Sequence, residues 1–122
     1  VTAQRIRLAV TATLVAVVAV QSWLLYTPAP PNPVAEISGS DLVAHVVLFA
    51  VPSALAYWLW PRRSVLLGLL AYAPVSELIQ LLVPNRMADV ADGLADAVGV
   101  AIGAAIAGWV RRRDSQRRHS SR

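Results

Sequence analysis

Cysteine is absent from this chain. Disulfides and thiolate metal sites are therefore both excluded. Lysine is absent too, so every permanent positive charge is an arginine. No glycine-rich phosphate loop and no internal repeat can be found. Ser53, Ser76 and His45 do not assemble into a nucleophile system at any spacing that a hydrolase triad needs. Long polar stretches are also scarce, which leaves no room for a separate soluble domain.

Apolar residues make up 57% of the 122 positions, too many for a soluble domain of this size. They fall into four runs, near 6–26, 42–60, 64–83 and 91–110. Each is long enough to cross about 30 Å of hydrocarbon as a helix. The expectation is an all-α integral membrane four-helix bundle, with residues 1–122 as a single domain. Arg5 and Arg7 ahead of the first run also suit a signal peptide. The length of that run and the lack of a small-x-small site before "TPAPPNP" favour an uncleaved span, with Trp23 and Tyr26 in an interfacial belt. The prolines after Tyr26 read as a short stiff linker. Pro52 and Pro74 are expected to kink the second and third spans.

Arginine placement sets the expected orientation. Arg5, Arg7, Arg62, Arg63, Arg111, Arg112, Arg113, Arg117, Arg118 and Arg122 fall on one side of the four runs, and only Arg86 on the other. Such asymmetry predicts cytoplasmic termini, with residues 111–122 as a basic cytoplasmic tail. The net charge of +4 then calls for no nucleic acid partner. The tail reads as a flank that touches anionic lipid, with His119 solvated in it.

The unusual polar residues collect at the other end. Asp41 and His45 open the second span one turn apart. Glu77 and Gln80 lie near the end of the third. Asp89, Asp92 and Asp96 run into the fourth at i, i+3 and i+7. Helical spacing puts each set on one face. At 1.5 Å per residue, His45, Glu77 and Asp96 reach about 5–10 Å below the same boundary. Asp92, Asp96, Gly99, Gly103 and Ala107 share one stripe, so the carboxylate face is also the face suited to close helix packing. Asp41, Asp89 and Asp92 are equally good helix caps. Glu77 and Asp96 sit at no helix start, and buried ionisable groups in a span commonly mark function. Crowded carboxylates here must be protonated, bind a cation, or receive a cationic ligand. Arg86 is expected to fork onto Glu77 or Asp92.

Two stretches, "DLVAHVVLF" at 41–49 and "SELIQLLVPNRMADVADGLADAVGVAIG" at 76–103, resemble the VanZ-like family of small bacterial membrane proteins. The shared pattern is Asp41 and His45 opening a span, then Glu77, Gln80, Pro84, Arg86, Asp92, Asp96 and Gly99. Asp96 stands where the family usually has asparagine. It reproduces the amide's donor only when protonated, and is expected to be so. The resemblance implies a multi-pass protein of the bacterial cytoplasmic membrane, associated with susceptibility to the glycopeptide teicoplanin. The functional cluster is then Asp41, His45, Glu77, Gln80, Arg86, Asp92 and Asp96, with Gly99 and Gly103 for helix packing.

Three functions compete. An outward-facing acidic pocket would bind a cell-wall precursor, a lipid head group or a glycopeptide. A membrane-embedded enzyme would use the carboxylates on a lipid-linked substrate for acid–base work, or to hold a divalent cation such as Mg²⁺ or Ca²⁺. A small transporter, as a homo-oligomer of four-helix units, would need acids along the whole path, and within the four runs none lies toward the basic end. No cofactor is required by any motif, and the bilayer is the expected partner.

Overall fold

The computed structural model describes residues 1–28 and 40–120. The linker at 29–39 and Arg122 lie outside the described residues. Four helices make up the chain: α1 (Thr2–Tyr26), α2 (Ser40–Leu59), α3 (Arg63–Gln80) and α4 (Val90–Ser120). They form an all-α bundle in which α2 and α4 pack along the greatest length, and α1 and α3 flank them. By length and composition, α1, α2 and α4 are apolar enough to cross a membrane.

Helix ends depart from the sequence reading at three places, the first being α1, which already begins at Thr2. The third helix stops at Gln80, not Val83, and residues 81–83 form tight turns, with Leu82 N–H on Ile79 O and Val83 N–H on Gln80 O. Pro84 explains this, because the residue before a proline is driven out of the helical region. Asn85 then reverses the chain at φ 60°, a left-handed conformation that asparagine tolerates. The fourth helix continues to Ser120, so most of the basic tail is helical. Its arginines and glutamine are good helix formers, and the basic last turn suits the negative end of the helix dipole. Both α2 and α3 run on through Pro52 and Pro74.

The core is small: Leu25, Phe49, Ala73 and Val100, with Tyr72 stacked on Phe49 at 5.6 Å between ring centres. Many large apolar side chains point outward instead, among them Leu8, Val20, Leu67, Leu78, Leu94 and Trp109. Such a surface suits hydrocarbon and not water. On α4 the inward stripe is Ala95, Asp96, Gly99, Val100, Gly103, Ala104 and Ala107. A Cβ on Gly99 would strike the Val46 carbonyl oxygen, and one on Gly103 the Ala50 carbonyl oxygen. These two positions therefore let the backbones of α2 and α4 meet, as small residues do between membrane helices.

Space around the glycines yields a paired test. Nothing lies within 4 Å of a Cβ built at Gly68. Gly68→Ala should leave Tm in detergent unchanged or slightly raised, since alanine favours helix by about 1 kcal/mol. Gly103→Ala should lower it, because overpacking costs about 1–3 kcal/mol of stability. Equal Tm values for the two variants would rule out the close α2–α4 contact.

Candidate functional site

His45 is the centre of the polar end. It sits on the second turn of α2, one residue before the Val46 carbonyl that meets Gly99. Asp96 lies one turn ahead of Gly99 on α4. The same close contact therefore brings the two side chains together: His45 Nδ1 is 2.8 Å from Asp96 Oδ1. Glu77, from the last turns of α3, places Oε1 3.9 Å from the same nitrogen. The other ring nitrogen, Nε2, lies 3.8 Å from Asp92 Oδ2. Ligand-type atoms of Asp41, His45 and Asp92 fall within 4.8 Å of one another, as do those of His45, Glu77 and Asp96.

The two sets differ in burial. Asp96 is 0% exposed, His45 5% and Glu77 6%, whereas Asp41 is exposed and Asp92 half-buried. The imidazole thus joins an inner, closed pair of carboxylates to an outer pair that water reaches. Five ionisable side chains from three helices converge here, and none of them is an arginine. Asp96 Oδ1 is the hydrogen-bond partner of His45 Nδ1, and the tautomer of the imidazole sets which of the two donates.

Asp89 gives structural support. Its Oδ1 accepts the Ala91 N–H at 2.8 Å, a helix cap for α4. Its own N–H donates to Glu77 Oε2 at 3.1 Å, which turns Oε1 toward His45. Gly93 passes close by, and a Cβ there would lie 3.3 Å from Glu77 Cγ. Gln80 is buried on the same face of α3, and its Nε2 has no hydrogen-bond partner.

Arg86 is not part of the cluster, contrary to the expectation that it would fork onto Glu77 or Asp92. Its Nη2 donates to Leu24 O at 2.8 Å and its Nε to Thr27 O at 3.2 Å. The cause lies in α1. Pro28 has no N–H to give to Leu24 O, four residues back, so the helix ends on an orphaned carbonyl at its negative pole. The guanidinium satisfies it. Pro28 was the available signal in the sequence.

Other polar residues escaped the sequence reading. The Tyr26 hydroxyl lies 2.6 Å from that of Tyr72 and 2.9 Å from Ser76 Oγ, tying α1 to α3. Tyr26 is thus an inward-bonded residue and not only a belt aromatic, whereas Trp23 is exposed. Tyr72, Ser76 and Gln80 recur every four residues, a helical face that spacing could have revealed. Gln21, a lone amide in an apolar span, and Ser53 are also buried.

Residues 3–111 match the VanZ/LLP1 family. The chain belongs to the VanZ/LLP1 family. Family membership and the apolar helices make it a membrane protein. No curated protein and no solved structure matches it. The matched range includes Asp41, His45, Glu77, Asp92 and Asp96. Two clefts of this VanZ/LLP1 chain lie away from the acidic cluster. One of about 460 Å³ opens at the basic end between Trp58, Arg111, Arg112 and Arg118. An apolar groove of about 280 Å³ runs between α1 and α2, along Val17, Val20 and Leu48.

The role of Arg86 can be tested by rescue. Arg86→Ala should lower stability in detergent by about 1.5–3 kcal/mol, the worth of a hydrogen bond from a charged donor. Pro28→Ala in that background restores an N–H for Leu24 O and should recover part of the loss. Recovery by Asp92→Asn instead would mean that Arg86 neutralises the carboxylates.

Proposed function

We propose that this chain is a four-pass protein of the bacterial cytoplasmic membrane, with both termini inside, that presents its acidic cluster at the outer leaflet. The ligand is a cell-wall precursor, a lipid head group or a glycopeptide that offers an ammonium or several N–H donors. Asp41 and Asp92 make first contact, and His45 transmits it to Glu77 and Asp96. The observation that carries this reading is the convergence of Asp41, Glu77, Asp92 and Asp96 on one imidazole, at the end remote from the arginines at 5, 7, 62, 63 and 111–118. A buried group of that composition attracts positive charge and hydrogen-bond donors. The family's association with teicoplanin makes altered glycopeptide susceptibility the expected phenotype.

A second reading has one observation in its favour. The 2.8 Å contact between His45 and Asp96 is the geometry of a histidine held by a carboxylate for acid–base work. An enzyme acting on a lipid-linked substrate would use it. Turnover of such a substrate, abolished by His45→Gln with ligand binding retained, would favour the enzyme.

Orientation is tested first. Met87 is exposed on the turn between α3 and α4, and the chain has no natural cysteine. Met87→Cys should react with a membrane-impermeant thiol reagent in intact cells. Labelling only after lysis would place the cluster inside and end the proposal. Next, production of the chain in a susceptible Gram-positive host should reduce teicoplanin sensitivity, and Asp92→Asn should lessen the effect at equal membrane abundance. Unchanged sensitivity to every glycopeptide at good expression would remove that ligand class.

A further inference from the structure

We propose that His45, Glu77 and Asp96 form a binding site for one divalent transition-metal cation, of the Zn²⁺ or Mn²⁺ type. The three donors come from three different helices, and their ligand atoms lie within 4.8 Å of one another. His45 Nδ1 is 2.8 Å from Asp96 Oδ1 and 3.9 Å from Glu77 Oε1. A cation with bonds of about 2.0–2.2 Å holds tetrahedral ligand atoms about 3.3–3.6 Å apart. The two histidine–carboxylate separations straddle that value and the two carboxylates lie within 4.8 Å of each other, so side-chain shifts on the order of 1 Å or less close the site.

Two buried atoms point to a ligand independently of the clustering. Glu77 Oε1 and Asp96 Oδ2 receive no N–H or O–H from any other described residue, and the two carboxyl groups are close enough to bond only to each other, through one shared proton. Their side chains are more than nine-tenths buried, at 6% and 0% exposure. Unpartnered buried carboxylate oxygens are costly, and native proteins rarely keep them without an ion or a bridging group. Glu77 is also held in place to use Oε1, because Oε2 is occupied by the Asp89 N–H at 3.1 Å.

The surroundings of His45 match what a ligating histidine needs. A metal takes the lone pair of one ring nitrogen while the other carries N–H toward a carboxylate. Here Nδ1 faces Glu77 and Asp96, and Nε2 faces Asp92 Oδ2 at 3.8 Å. The donor set decides the class of cation. One imidazole with two carboxylates suits borderline metals, whereas Mg²⁺ and Ca²⁺ prefer oxygen throughout and soft Cu(I) prefers sulfur. Three protein ligands leave a further coordination position for water or for a group entering past Asp41 and Asp92. A double positive charge offsets the two inner carboxylates. The outer pair remains acidic, so this inference stands whether or not the ligand proposed above is correct.

The test uses the full chain purified in detergent, stripped with EDTA and titrated with ZnCl₂ or MnCl₂. We expect one equivalent bound per chain. Tm should rise by about 5 °C or more at a hundredfold excess over Kd. Co²⁺ in place of Zn²⁺ should give visible d–d absorption from a low-coordinate site. Glu77→Gln and Asp96→Asn should each weaken binding at least tenfold, while their Tm values in EDTA report whether they fold. Asp41→Asn should change affinity less than twofold, and so should His119→Ala. Absence of stoichiometric binding by the wild-type chain would overturn the proposal. So would binding that survives both inner substitutions, or that is lost only with Asp41 or His119. Metal titration and cellular glycopeptide sensitivity are separate readouts, so failure of one leaves the other standing.

Discussion

The close approach of α4 to α2 governs the arrangement. Gly99 and Gly103 lie on the backbone of α2 at Val46 and Ala50, where any Cβ would collide with a carbonyl oxygen. This contact does more than pack two helices. His45 precedes Val46, and Asp96 lies one turn before Gly99. Bringing the backbones together therefore sets the His45–Asp96 distance. Packing and polar chemistry share one stripe, and a shift in the first would move the second.

Permanent charge is kept away from that stripe. Arg86 caps the end of α1, Arg7 donates to Leu59 O at 3.3 Å, and Arg111 to Trp58 O at 2.7 Å at the end of α2. Helix C-termini carry unsatisfied carbonyls and partial negative charge, and guanidinium groups answer both. The carboxylates are left to an imidazole, a weaker and titratable partner. A cluster balanced by arginine would be a fixed structural salt bridge. A cluster balanced by histidine can exchange protons or cations, which makes it suited to a functional role.

The remaining surface is explained by the solvent it faces. Outward-pointing leucine, valine and tryptophan side chains would be a liability in water, yet they need no cover in hydrocarbon. With little apolar burial between helices, specificity falls to small residues and to polar links. The Tyr26–Tyr72–Ser76 hydroxyl contacts are such a link, joining α1 to α3 beside the acidic end.

The four helices and the meeting of Asp41, His45, Glu77, Asp92 and Asp96 at one end of the bundle were legible from the amino-acid sequence. Run length counts helices, short connections reverse direction, and a rise of 1.5 Å per residue converts position into a level along each helix. The glycine stripe was readable for the same reason, since the helical period assigns residues to faces. Other features depend on what stands across a gap, and the helical period carries no information about that. Which carboxylate each nitrogen of His45 meets follows from the rotation of α2 against α3 and α4. Arg86 was assigned to the nearest acids, but its partner was decided by an orphaned carbonyl on α1, some sixty residues earlier in the chain. Tyr26 gained an interior partner because α1 leans on α3. Sequence alone determined which groups share a level of the bundle. The tertiary structure decided which of them touch, because contact between helices depends on rotation and separation, and neither is encoded in the period of a single helix.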